Sequence, residues 1–211
     1  MELLDPVEVR VLGALLEKEA TTPEYYPLSL NALINACNQK SNRDPVANYD
    51  EDTVYDAVNR LREKKLALTI TGSGRVNKYA QRISETLNLG RREAAILCTL
   101  LLRGAQTLGE IKDRSERMFP FADLAEAETV LEKLADWPGA SLVKKLPRFS
   151  GQKEARYIHL LSGEASAESP VDAVTSNPPS RLEQLESELH ELRSDFNQLK
   201  QRFDDLEKQL R

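Results

Sequence analysis

Apolar side chains recur along this chain at helical spacing, and the pattern is written twice. Val7, Val11, Leu12, Leu15 and Leu16 form one stripe behind Asp5-Pro6. Glu8, Val11, Leu12, Leu15 and Leu16 are matched 85 residues later by Glu93, Ile96, Leu97, Leu100 and Leu101. Leu30 and Leu33 recur as Leu108 and Ile111, and Val54, Ala57, Val58 and Leu61 recur as Ala127, Val130, Leu131 and Leu134. Each copy thus predicts three amphipathic helices in one order. Asp5 caps the first, with Pro6 at its start and Glu8 reaching back to the cap backbone. Ser29 caps the second, and Asp50 or Asp52 begins the third. Period-two runs over 66–71 and 76–80 flank Gly72-Ser73-Gly74 and predict a hairpin, and a second hairpin is expected after Ser141. Three helices followed by a hairpin is the layout of a winged helix. The expected class is mainly α with small β-hairpins (α+β): winged-helix domains over 1–84 and 85–163.

A different pattern occupies the end of the chain. Residues 164–180 are rich in Ser, Ala, Glu and Pro without periodicity and read as a flexible linker. Ser180-Arg181-Leu182-Glu183 then has the form of a capping box and opens a coiled coil over 181–211. Leu182, Leu189, Phe196, Phe203 and Leu210 occupy one core position, and Leu185, Leu192, Leu199 and Leu206 the other. In a parallel pair the flanking contacts are Arg181 with Glu186, Glu188 with Arg193, Asp195 with Lys200 and Arg202 with Glu207, all attractive. A fully overlapped antiparallel pair sets like charges against each other at every one of these sites. Exposed pairs contribute only ~0.2–1 kcal/mol each, but four of one sign against four of the other set the orientation. A homodimer through a parallel coiled coil is therefore expected. The bulk of Phe196 and Phe203 leaves a trimer open, and a lone helix docked on the globular part is the alternative.

Composition narrows the class. The 211 residues carry a formal net charge of −5. Residues 1–84 hold 11 basic and 12 acidic residues, 85–163 hold 12 and 11, and 164–211 hold 6 and 11. The acidity therefore lies in the tail, and neither globular copy has the basic bias of a dedicated nucleic-acid binder. No apolar run approaches the ~20 residues that cross a bilayer, and the N-terminus lacks a signal-peptide pattern, so no membrane association and a cytoplasmic location are expected. Cys37 and Cys98 fall inside helical patterns and predict buried thiols in a reducing compartment. His159 and His190 lie outside ligand spacing of any other His or Cys, no phosphate-binding loop occurs, and no nucleophile motif is present. No enzyme activity, metal or cofactor is expected.

The copies differ in their loops. The first has about seven more residues between its first two helices and about five more between its second and third. The second insertion places Asn38, Gln39, Lys40, Asn42 and Arg43 close together, and amides with guanidinium groups are the side chains that pair with base edges and phosphates. The bland alternative is a solvated loop whose Asn and Ser residues close local turns. Leu28-Ser29-Leu30-Asn31-Ala32-Leu33, then Ala36-Cys37-Asn38-Gln39-Lys40-Ser41-Asn42-Arg43 and Pro45-Val46, with Glu17-Lys18-Glu19, Thr22-Pro23 and Tyr26-Pro27, resembles the YceH-type family of bacterial proteins. The resemblance spans both copies and implies tandem winged helices of uncharacterised function; it implies no reaction and no catalytic residue.

A winged helix that reads DNA places its third helix in the major groove. Here that helix begins Asp50-Glu51-Asp52, which suits the helix dipole but repels phosphates. Tyr55, Asn59, Arg60 and Arg62 on its outer face, with Arg75 and Lys78 on the hairpin, are the remaining nucleic-acid-binding candidates. The second copy has Asp123, Glu126, Glu128 and Glu132 on the third helix, and Lys144, Lys145, Arg148, Lys153 and Arg156 on the hairpin. The expected role is a DNA-binding or regulatory protein that acts on duplex DNA; the alternative is a winged-helix adaptor that binds another protein without direct DNA binding. Replacing both Leu192 and Leu199 with Glu is expected to convert the self-associated chain to a monomer, read as a fall in sedimentation coefficient; an unchanged value refutes the coiled coil.

Overall fold

The computed structural model describes residues 2–71, 76–148 and 154–163. Two copies of one α+β unit follow each other. The first runs α1 (Pro6–Thr21), a 3-10 turn (Pro23–Tyr25), β1 (Leu28–Ser29), α2 (Leu30–Cys37), α3 (Glu51–Glu63), β2 (Ala67–Ile70) and β3 (Lys78–Gln81). A short α4 (Ile83–Thr86) straddles the boundary between residues 84 and 85. The second runs α5 (Arg91–Arg103), β4 (Gln106–Thr107), α6 (Leu108–Ser115), α7 (Leu124–Ala135), β5 (Val143–Lys145) and β6 (Arg156–His159). The order is winged-helix-like in both, and the expected hairpins follow each third helix.

The helix starts are built by their caps. Asp5 accepts the Val7 and Glu8 amides while Glu8 takes the Asp5 amide, a complete capping box. Ser29 caps α2, Asp50 caps α3 and Asp123 caps α7. Thr107 and Glu110 form a second capping box on α6. The hairpins each gain a third strand that the sequence pattern did not reveal. β1 pairs with β3, and β4 with β6, through two residues apiece, giving antiparallel orders β1-β3-β2 and β4-β6-β5. A two-residue strand has no readable period; the pairing partner creates it.

Expected core positions are buried: Val11, Leu12, Leu15, Leu33, Val54, Ala57, Val58 and Leu61 in the first copy, and Ile96, Leu97, Leu100, Ile111, Ala127, Leu131 and Leu134 in the second. Cys37 and Cys98 are buried free thiols, and burial raises the Cys37 thiol pKa to about 12. The two copies share one continuous core within a single compact unit. The reason lies in α1 and α5. Every residue from Glu8 to Glu17 is buried, and so is every residue from Ala95 to Leu102. One face of each helix packs into its own copy, and the opposite face packs on the other helix. A helix enclosed on all sides has no solvent face left to carry polar residues.

Gly13 marks the closest part of this seam. A Cβ at Gly13 would stand 2.8 Å from Leu102 Cδ2 and 3.2 Å from Leu101 Cβ. The Cys98 thiol, which occupies the position matching Gly13 in the second copy, donates to the Gly13 carbonyl at 3.3 Å. The chain ends of the unit also meet: the Leu4 amide donates to Leu161 O at 2.8 Å, with both side chains buried. Gly13→Val is expected to destabilise the protein by about 2 kcal/mol through overpacking, seen as a lower urea midpoint; an unchanged midpoint means that α1 and α5 do not pack this closely.

Candidate nucleic-acid interface

The polar loop between α2 and α3 is turned inward. Asn38 closes it, donating to Tyr49 O and accepting the Tyr49 amide, both at 2.8 Å. Arg43 is buried with its side chain fully covered. Its guanidinium donates to Glu17 Oε2 at 2.7 Å, to Ala36 O at 2.8 and 3.1 Å, to Asn42 O at 3.0 Å and to Gln39 Oε1 at 3.1 Å. No edge of that group faces solvent, so Arg43 is placed as an internal strut and not as a phosphate contact. Gln39 also accepts from Lys18 at 3.3 Å. Asn42 adopts a left-handed backbone with φ of 58° and accepts from Arg103 of α5 at 2.7 Å. The Asp44 amide donates to Leu102 O, also on α5, at 3.0 Å. Only Lys40 of the five loop candidates is exposed.

The loop is therefore a strap. It leaves α2, passes over the end of α1 and bonds to α5 of the other copy. Two buried cations support it from below. Arg43 and Arg10 bond the carbonyls of Ala36 and Cys37 in the last turn of α2, where positive charge is favoured. Arg10 also donates to Pro45 O, and burial lowers its pKa without removing its charge. Glu17 and Arg10 stand seven residues apart within the apolar stretch of α1, on one side of the helix. Charged residues at this spacing within so apolar a stretch were the available sign in the sequence of a buried polar network.

A second pair of buried carboxylates is repeated between copies. Glu8 accepts from Lys64 at 2.7 Å, and Glu93 from Lys133 at 2.6 Å; each joins the first helix of its copy to the end of the third. Burial pushes the Glu93 pKa up, but the Lys133 contact and backbone donors outweigh it, and the carboxyl is held below its usual range. Arg60 belongs to the same group in the first copy, bonding Asp5 at 2.7 Å. His159 lies in β6, and burial lowers its pKa to about 4, so it is neutral near pH 7.

The outer faces of the third helices remain. On α3, Glu51, Asp52, Tyr55 and Asp56 are exposed, and Arg62 is exposed but bonded to Asn59 at 2.9 Å. Lys78 is exposed on β3; Arg75 lies outside the described residues, as do Lys153 and the oligomerisation positions Leu182, Leu185, Leu189, Leu192, Phe196, Leu199, Phe203, Leu206 and Leu210. On the second copy a cleft of about 490 Å³ opens between α6, α7 and the hairpin, lined by Leu108, Leu124, Glu128, Lys145, Arg148 and Tyr157 among others. Its cations are partly engaged. Lys145 lies 3.6 Å from Glu128 and over the Tyr157 ring, and Arg156 bonds Glu110 at 3.1 Å and Ala105 O at 2.9 Å. Apolar side chains are exposed on both faces: Tyr55, Ile70 and Val76 on the first, Leu124 on the second. Among the described residues no helix is long and apolar enough to cross a membrane, and no cluster of three or more His, Cys, Asp or Glu side chains suits a metal.

Because Arg43 closes a buried pair, Arg43→Ala is expected to lower unfolding free energy by about 3 kcal/mol by stranding Glu17. Lys40→Ala, on the same loop but exposed, should stay within about 0.5 kcal/mol of the parent. Chemical denaturation distinguishes them, and equal midpoints for the two variants refute the strut.

Residues 4–152 match the family described as "Protein of unknown function, DUF480". A UPF0502 protein of Solibacter usitatus is 58% identical over 161 residues, covering 76% of this chain and 77% of its own length. One from Pelobacter propionicus is 57% identical over 162 residues, covering 77% and 74%. One from Opitutus terrae is 49% identical over 189 residues, covering 89% and 82%. With identity this high across most of both chains, the protein belongs to the DUF480/UPF0502 family of bacterial proteins of unknown function.

Proposed function

We propose that this chain is a protein-binding adaptor built on a winged-helix-like scaffold, and that its partner meets the faces formed by the third helices and hairpins. The observation that carries this reading is the chemistry of those faces. Where a duplex would lie, the leading end of α3 presents Asp50, Glu51 and Asp52, and α7 presents Asp123, Glu126 and Glu128. Carboxylates there repel phosphates. Cations nearby, including Arg60, Lys145 and Arg156, are held by carboxylates of the chain itself. Tyr55, Ile70, Val76 and Leu124 instead offer apolar surface rimmed by acidic groups, which suits a protein segment bearing apolar and basic side chains.

The inward turn of the strap supports the same reading. Asn38, Gln39, Asn42 and Arg43 were the loop's candidates for base contacts, and their polar groups bond within the chain. Self-association through the heptads of 182–210 would double the number of adaptor faces per assembly and raise avidity for a weak partner.

A photo-cross-linking residue at position 55 or 124 of the full chain, expressed in the native cell, is expected to yield a discrete protein adduct; the same residue at position 40 should not. The purified chain should leave duplex DNA unshifted at physiological salt. Salt-sensitive duplex binding, with log affinity falling by about 0.9 per phosphate against log salt, and no adduct at 55 or 124, would replace the adaptor with a DNA-binding regulator.

A further inference from the structure

Three arginines from the second copy converge at the seam, away from the third-helix faces. Arg103 ends α5, Arg114 lies in the last turn of α6, and Arg117 follows in the turn before Met118. With Glu17, Thr21 and Asn42 of the first copy they line a shallow depression whose enclosed volume is about 20 Å³. Glu17, a carboxylate in this lining, is already bonded by Arg43 at 2.7 Å and approached by Lys18 at 3.6 Å. Arg103 gives one bond to the neutral Asn42 amide oxygen. Arg114 has only a 3.4 Å contact with Glu110, both side chains being about a third exposed. Arg117 has no partner among the described residues. Each guanidinium offers five N–H donors, so most of this donor capacity is unused.

Like charges are thus gathered here: Arg43, Arg103, Arg114 and Arg117 outnumber the carboxylates beside them, Glu17 being shared with Arg43 and Lys18, Glu110 reaching Arg114 at 3.4 Å and Asp44 lying near Arg103. The Arg103 pKa is lowered, by burial most and then by the positive charges of Arg114 and Arg43, with Asp44 and Glu17 opposing the shift in part. Crowded guanidinium groups at a partly covered seam destabilise one another until an anion joins them. A planar guanidinium fork bonds two oxygens of a phosphate at once, and two or three forks around one hollow match a tetrahedral oxyanion.

We propose that this depression is an oxyanion site that takes a single phosphate-sized group carried by a small molecule, held by Arg103, Arg114 and Arg117. The hollow itself has room for about one water, so the group is held at its open mouth, where Arg117 is exposed and Arg114 partly so. The exposed carboxylates of Asp113 and Glu116, near Arg114 and Arg117 in sequence, oppose an extended polyphosphate backbone. The three arginines all belong to the second copy, and the first copy borders the site through Glu17, Thr21 and Asn42. The site is separate from the adaptor faces, and either assignment can fail without the other.

Thermal unfolding of the full chain in inorganic phosphate, against sodium chloride at matched ionic strength, tests this. Phosphate is expected to raise the parent Tm saturably, by about 3–6 °C at tenfold or greater excess over Kd. Arg117→Ala removes an exposed side chain with no internal partner, so its Tm in chloride should stay within about 1 °C of the parent. Phosphate also stabilises proteins non-specifically by exclusion from their surface, and that part survives in the variant. The difference between parent and Arg117→Ala therefore reports the site, and Arg114→Gln should reduce the rise as well. Equal phosphate responses in the parent and both variants overturn the proposal, and so does duplex DNA that competes for the site with a steep salt dependence.

Discussion

The structure depends on one packing constraint: α1 and α5 are buried on every side. Each is the first helix of its copy, and each has apolar groups on the face that its own copy leaves uncovered. Gly13 lets the helices approach, and Cys98 meets its carbonyl from the equivalent place in the other copy. Fully burying a leucine contributes about 1.5–3 kcal/mol, and α1 and α5 together bury Leu12, Leu15, Leu16, Leu97, Leu100, Leu101 and Leu102 on their two faces. A winged-helix-like unit of this size has little stability to spare by itself. Joining two through their central helices supplies a common core.

Burial of that kind favours internal partners for the charged groups it covers. Glu17 meets Arg43, Arg10 meets the Cys37 carbonyl at the end of α2, and Glu8 and Glu93 meet lysines at the ends of their third helices. The strap is the consequence. A loop five residues longer than its counterpart brings Arg43 to Glu17, and continues far enough to bond Arg103 and Leu102 of the other copy. Its amides and cation resemble a nucleic-acid contact in composition, yet the same groups equally suit closing a loop onto buried charge. Their direction decides between the two.

The faces that remain open have a consistent character. Acidic residues lead both third helices, apolar side chains stand between them, and cations of the hairpins and helix ends are drawn onto nearby carboxylates. Arg103, Arg114 and Arg117 instead gather at the seam, around the hollow beside α1, α5 and α6, where Arg114 reaches only Glu110 and Arg103 only the Asn42 amide oxygen.

Much of the fold was written in the order of residues. The spacing of Val11, Leu12, Leu15 and Leu16 and their repeat at Ile96 to Leu101 defined the helices, because a 3.6-residue period needs only local information. Asp5, Ser29 and Asp50 marked helix starts for the same reason, since a cap bonds within three or four residues of itself. The two-residue strands β1 and β4 were not legible, because they exist only through partners some 50 residues away. The candidate site was half legible. Tyr55 and Lys78 stand exposed as their helical and strand registers implied, whereas Arg43 is buried, Asn42 is bonded to Arg103, and Arg60 is half-exposed but held by Asp5. Sequence by itself determined which residues form each helix and which of its faces is apolar. Only tertiary structure decided what the second apolar face of α1 meets and where the loop cations point, because burial in a shared seam depends on contacts between residues far apart in the chain.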